Sequence, residues 1–158
     1  MRIFTIPLPY KSQAKKRKSD ALMTINVQRN LHYIAAANFK RNYGELCKKA
    51  IQEANIKPMK YASLSYTIHT QPTKGKPTVK DPYRGSQPKQ VDLLNVGAVV
   101  DKVMSDALVE LGIIPDDSIR HVSKITFYSD PWAEEEYITV AISATKAITD
   151  PRRQDDNN

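Results

Sequence analysis

Alternating apolar and polar side chains over Arg2 to Pro7 predict a short strand, which Pro7 and Pro9 end because proline cannot donate to a ladder. From about Asn30 to Asn55 the interval changes. Tyr33, Ile34, Ala37, Leu46, Cys47, Ala50 and Ile51 recur at helical spacing with Lys40, Arg41, Lys48 and Lys49 between them, which predicts a long amphipathic helix with Gly44 as the place for a bend. Cys47 then belongs to the core as a small hydrophobe. Tyr61 to Thr70 alternates again and predicts a half-buried strand, with His69 as a polar residue on its face. Residues 71–90 have no apolar period and are rich in Pro, Gly, Lys and Gln, the composition of a long loop. The clearest helix runs from Asn95 to Leu111, where Val96, Val99, Val100, Val103, Ala107, Leu108 and Leu111 form one broad apolar face and Gly112 ends it. After a turn, Ile125 to Ser129 and Glu136 to Ser143 read as two strands, and the DPWAEE between them predicts an antiparallel hairpin.

The element order is therefore β-α-β-loop-α-β-β, which predicts an α/β domain of mixed sheet and two main helices. A chain of 158 residues suits one such domain with its own core. Its expected extent is 1–144, with residues 145–158 a polar, disordered tail.

Charge narrows the partners. The formal net charge of +7 favours a polyanion, nucleic acid before an anionic membrane. Much of it sits in two basic loops. Residues 10–20 hold Lys11, Lys15, Lys16, Arg17 and Lys18, either a phosphate-tracking arm or a solvated connection, and residues 71–90 hold Lys74, Lys76, Lys80, Arg84 and Lys89. One cysteine excludes an internal disulfide framework, and His32, His69 and His121 lack metal-ligand spacing. No apolar run has the length of a signal peptide core or a bilayer span, so the expectation is a soluble protein of the cytoplasm.

The candidate chemistry lies in one run from Val91 to Ser118. Asp92 precedes the helix, Asn95, Lys102 and Asp106 share a stripe beside its apolar face, and Asp116 and Asp117 follow its end. Carboxylates of this kind can hold Mg²⁺, which polarises a phosphoryl oxygen and lowers the pKa of an attacking water. They can also be ordinary: Asp92 a helix cap, Asp116 and Asp117 a turn after Pro115, and Lys102 with Asp106 a surface pair.

The series VDLLN, Lys102, DAL from Asp106 to Leu108, and DDS from Asp116 to Ser118 resembles the motifs of the RusA family of Holliday junction resolvases, which read D-x-D-N, a helical Lys, D-A-L and D-D-[SA]. FTIPLPY resembles that family's first strand and its Pro-rich exit, and FKRNYGELCKKAIQEA its first helix. The resemblance spans Ile3 to about Val140. It implies a small homodimeric endodeoxyribonuclease, common in phages and prophages, that needs Mg²⁺ or Mn²⁺ and cuts four-way DNA junctions in recombination and repair. Carried onto matching positions, it makes Asp92 and Asp117 metal ligands, Lys102 a catalytic or phosphate-stabilising lysine, and Asp116 and Asn95 supporting residues. Asp106, in DAL, also lies in the supporting set.

Two departures qualify it. The stretch from Asn95 to Lys102 is longer by about one helical turn, which keeps the helix face. Leu94 stands where the family has its second Asp, and leucine cannot ligate a metal. Asp116 is the nearest substitute in sequence, whereas Asp101 projects roughly 100° from the Lys102 and Asp106 stripe. If Asp92 and Leu94 lie in an extended segment, both point to one side. Two other functions stay open: a structure-specific DNA-binding relative that cuts poorly, and a basic RNA-binding protein, for which paired aromatics on a strand face are lacking.

Overall fold

The elements in chain order are β1 (Arg2–Ile6), α1 (Ile25–Arg29), α2 (Tyr33–Glu53), β2 (Ala62–His69), α3 (Leu93–Glu110), β3 (Val122–Asp130) and β4 (Tyr137–Ala144). They come from a computed structural model that describes residues 1–10, 22–72, 75–76, 78–80, 82, 87–88 and 91–148. Four strands form one mixed sheet in the order β1-β4-β2-β3, with β2 parallel to β3 and antiparallel to β4. The parallel pair needs a crossover, which α3 supplies. This is a single small α/β domain, as the alternation of strand and helix periods predicts. The expected tail lies outside the described residues from 149 onward.

The hairpin of the last two strands is corrected. β3 and β4 are not neighbours, because β2 lies between them. Residues 131–136 step over the end of β2, where Thr70 donates its N–H to the Asp130 carbonyl at 2.9 Å and accepts from the Ala133 N–H at 3.2 Å. Skipping one strand means spanning about 10 Å, within reach of six residues. The alternation of β2 suits that inner place: Ala62, Leu64, Tyr66 and Ile68 are buried, while Ser63, Ser65, Thr67 and His69 face the other way. His69 is the strand-face residue its spacing suggests. Its Nδ1 lies 2.8 Å from Asp130 Oδ2 and its Nε2 2.9 Å from Thr139 Oγ1, so it ties three strands together.

Helices α2 and α3 share the core with the buried face of β2. The core positions of α2 are Phe39, Tyr43, Cys47 and Ile51, while Tyr33 and Ile34 are exposed, at 75% and 52%. Spacing of four, with two aromatics, sets the buried stripe; Tyr43 satisfies its hydroxyl on the Pro7 carbonyl at 2.8 Å. The helix is continuous through Gly44, which faces Val103 of α3. Helix α1 has no apolar period to announce it. It begins where Thr24 Oγ1 accepts from the Val27 N–H at 3.1 Å.

Helix α3 is fixed at three points. Asp92 caps its start. At Gly97 it crosses Phe127 of β3 so closely that a Cβ would stand 2.7 Å from the ring. At its end Gly112 takes φ +68°, with Gly112 N–H bonded to the Val109 carbonyl and Ile113 N–H to the Leu108 carbonyl, both at 2.9 Å. That pair of bonds is a Schellman cap, which turns the chain back toward the middle of the helix.

Candidate catalytic site

The returning chain brings Asp117 to Lys102. Lys102 Nζ donates to Asp117 Oδ2 at 2.9 Å and lies 2.9 Å from Asp106 Oδ1, and Asp106 Oδ2 lies 2.8 Å from Lys40 Nζ of α2. Three elements thus meet in an alternating chain of charge: Lys40, Asp106, Lys102, Asp117. Ala98, Val99 and Val103 of α3, with Ile25 and Gln28 of α1, line a hollow of about 240 Å³ beside Lys40 and Lys102.

Asp101 lies on the other flank of α3. The Tyr66 hydroxyl, on buried β2, donates to Asp101 Oδ1 at 2.8 Å, and Ser105 Oγ donates to the same oxygen at 3.5 Å. Burial pushes the Asp101 carboxyl above its ordinary value; the Tyr66 and Ser105 hydrogen bonds oppose this, and the nearby negative charge of Asp117 adds to it. Asp101 precedes Lys102 in α3, and Asp117 bonds the Lys102 ammonium from beyond the helix end. The two carboxylate hydrogen bonds of Lys102, to Asp106 and Asp117, hold its ammonium more firmly protonated than usual. Burial disfavours the charged form of Asp106, but Lys40 and Lys102 outweigh it and hold that carboxyl below its ordinary value.

The helix angle sets Asp101 apart from the stripe, although its sequence neighbour Lys102 bonds Asp117. One sequence signal was present, since Asp101 and Ser105, four residues apart, border the apolar arc of α3. Tyr66 and Lys40 carry no such signal, because each comes from another element.

Asp92 stands elsewhere. Its Oδ1 accepts from the Asn95 N–H at 3.0 Å and its Oδ2 from Asn95 Nδ2 at 2.6 Å, so both oxygens serve the start of α3. At a rise of 1.5 Å per residue, the cap lies about 15 Å along the helix axis from Lys102. No hydrogen bond or ion pair joins Asp92 to Asp117 or Lys102 among the described residues. Leu94 is in the first turn of α3 and 69% exposed, so it neither pairs with Asp92 across an extended segment nor belongs to the core. Asn95 is engaged by Asp92 and Asp106 by the two lysines.

Asp116 builds the turn: its Oδ1 accepts from the Ser118 N–H at 2.8 Å, and the Ser118 hydrogen bonds hold its carboxyl below its ordinary value. Its Oδ2 lies 3.5 Å from His121 Nε2. Of the expected DNA-contacting residues, Lys76 and Lys80 are exposed; Lys11, Lys15, Lys16, Arg17, Lys18, Lys74, Arg84 and Lys89 lie outside the described residues.

Among the described residues no group of three His, Cys, Asp or Glu side chains is placed to hold a metal ion. Mg²⁺ asks for less, since one or two carboxylates with waters and substrate phosphate commonly suffice. Asp101 and Asp117 each keep one oxygen for such a role: neither Asp101 Oδ2 nor Asp117 Oδ1 has a hydrogen-bond partner among the described residues. Also among the described residues, no helix is long and apolar enough to cross a membrane. No protein-family model matches the chain, and no curated protein matches it.

Proposed function

We propose that this protein is a Mg²⁺-dependent endodeoxyribonuclease of the RusA type, acting as a homodimer on four-way or otherwise branched DNA in the cytoplasm of a bacterial or phage-infected cell. The observation that carries this reading is the placement of Lys102 between Asp106 and Asp117 with Asp101 alongside. Lys102 meets two carboxylates at once, with Asp101 next to it in sequence, and phosphodiester hydrolysis uses both signs of charge.

In this reading Asp101 and Asp117 hold the cation, and Asp101 takes the role left vacant at Leu94. A Mg²⁺ held there would supply polarisation of the phosphoryl oxygen and a more acidic water. Tyr66 and Ser105 orient Asp101 by bonding one of its oxygens. Lys102 carries a charge that can pass from Asp117 to a phosphate oxygen, where it neutralises the charge that develops as the bond breaks. Asp106, anchored by Lys40, keeps Lys102 at the site while it does so. Asp92 and Asn95 position the helix rather than the cation.

A second reading, structure-specific binding of branched DNA with little cutting, is favoured by the missing third carboxylate. Incubating the protein with a synthetic four-way junction and a matched linear duplex separates the two. The nuclease reading expects Mg²⁺-dependent, chelator-sensitive cuts in the junction. Binding without cuts, in Mg²⁺ and in Mn²⁺, leaves the second reading.

A further inference from the structure

Beside the site, the end of the sheet where β2 and β3 begin and β4 finishes gathers cations from three separate stretches of chain. Lys60 precedes β2, Arg120 and Lys124 bracket the start of β3, and Lys146 follows β4; all four are exposed. Backbone contacts lock these stretches together: Ala62 N–H bonds the His121 carbonyl at 2.7 Å and Thr145 N–H the Tyr61 carbonyl at 2.9 Å. His121 Nδ1 lies 2.8 Å from the Lys60 carbonyl, and its ring stacks on Tyr61 at 5.9 Å. Lys124 enters through strand pairing, opposite Ser63.

None of the four cations makes an ion pair with a carboxylate among the described residues. The lysines of α2 behave differently: Lys40 meets Asp106, Lys48 meets Glu45 and Glu110, and Lys49 meets Glu53. The acids tied to this end are Asp116, bonded to Ser118, beside His121 and stabilised also by the Arg120 charge, and Asp117, already bonded to Lys102. Positive charge without a carboxylate ion pair is thus gathered at the one sheet end that carries the Asp117 turn.

We propose that this end of the sheet is a DNA-backbone contact, in which Lys60, Arg120, Lys124 and Lys146 hold the phosphates of a duplex arm leading to Asp117. The proposal rests on the nuclease reading for the identity of the polyanion. The ends of three neighbouring strands span about 10 Å. With one charge per 3.4 Å of axis on each DNA strand, that width matches about three phosphates. The contact is sequence-independent, since cations on backbone oxygens read no bases.

The test is the salt dependence of binding to a labelled four-way junction. Replacing Lys60→Gln, Arg120→Gln, Lys124→Gln and Lys146→Gln together should flatten the slope of log affinity against log salt by about 3 to 4, at roughly 0.9 per lost contact. Lys48→Gln with Lys49→Gln, on α2, should leave it unchanged. Should the quadruple variant fail to fold, the pairs Lys60→Gln with Lys146→Gln and Arg120→Gln with Lys124→Gln should each remove about 2. An unchanged slope in folded variants of a protein that cuts junctions overturns the contact and leaves the nuclease reading standing. A flattened slope in a protein that never cuts supports the contact and removes the nuclease reading. Binding to anionic lipid vesicles but not to DNA overturns the proposal.

Discussion

Tyr66, fully buried on β2, donates its hydroxyl across the sheet–helix interface to Asp101 of α3 at 2.8 Å. The bond does two jobs. It satisfies a phenol that has no access to water, and it fixes a half-buried carboxylate at the edge of the site, with one oxygen left for another partner.

Tyr66→Phe separates these jobs. Losing a buried hydrogen bond to a charged acceptor should cost about 1.5–3 kcal/mol in urea unfolding. Freed from its donor, Asp101 should also lose orientation, and Mg²⁺-dependent cleavage should fall in protein that remains folded. Full activity in folded Tyr66→Phe would detach Asp101 from the chemistry.

Gly97→Ala should destabilise the fold by about 1–3 kcal/mol, because its new Cβ meets the Phe127 ring, which is stacked on Tyr66 at 5.3 Å. Helix propensity alone predicts the opposite sign, a gain of up to about 1 kcal/mol. A thermal melt distinguishes the two, and a raised melting temperature would mean that α3 does not cross β3 so closely.

At the start of α3, Asp92→Asn should preserve both stability and activity, since asparagine caps as well as aspartate, whereas Asp92→Ala should cost about 1 kcal/mol. Leu94→Asp should add about 0.3–1 kcal/mol by placing an anion in the first helical turn, with no gain in cleavage. Loss of cleavage in well-folded Asp92→Asn would extend the chemistry to the helix start.

Acid stability should report the Lys40–Asp106–Lys102 chain. The folded-state pKa of Asp106 is depressed, so its contribution is complete above its unfolded value, near 4, and is lost as pH falls through the lower folded value. Asp106→Asn should therefore be less stable than the wild type at neutral pH and lose less stability below about pH 4. An identical acid limb in both proteins would show that the pair contributes nothing, as exposed pairs often do.

How much of this was legible in the sequence depends on how local each feature is. Helix α3 announces itself because Val96, Val99, Val100 and Val103 repeat within the element and Gly112 closes it. Strand β2 does so because burial on one face writes alternation directly into Ala62 to His69. Neighbourhood in a sheet is not written that way. The segment after β3 was short enough for a hairpin, and only the insertion of β2, through Thr70, decides otherwise. The site divides along the same line. Lys102 and Asp106 share one helix stripe and Asp117 follows its end, so spacing finds all three. Asp101 owes its place to Tyr66, 35 residues away, and to the Schellman cap that returns Asp117 to mid-helix. Motif order singles out Asp92, and its cap geometry gives it a structural role at the start of α3.

The central claim is that Asp101 and Asp117 together form the cleaving site, and the most direct measurement is Mg²⁺-dependent cutting of a synthetic four-way junction by wild type, Asp101→Asn and Asp117→Asn. Each substitution removes a carboxylate charge while keeping shape, so both variants should bind the junction at least as tightly as wild type and cut it at least 100-fold more slowly, a loss of the order expected for one catalytic group. Wild-type rates in folded Asp101→Asn and Asp117→Asn would contradict the account and place any chemistry away from Lys102.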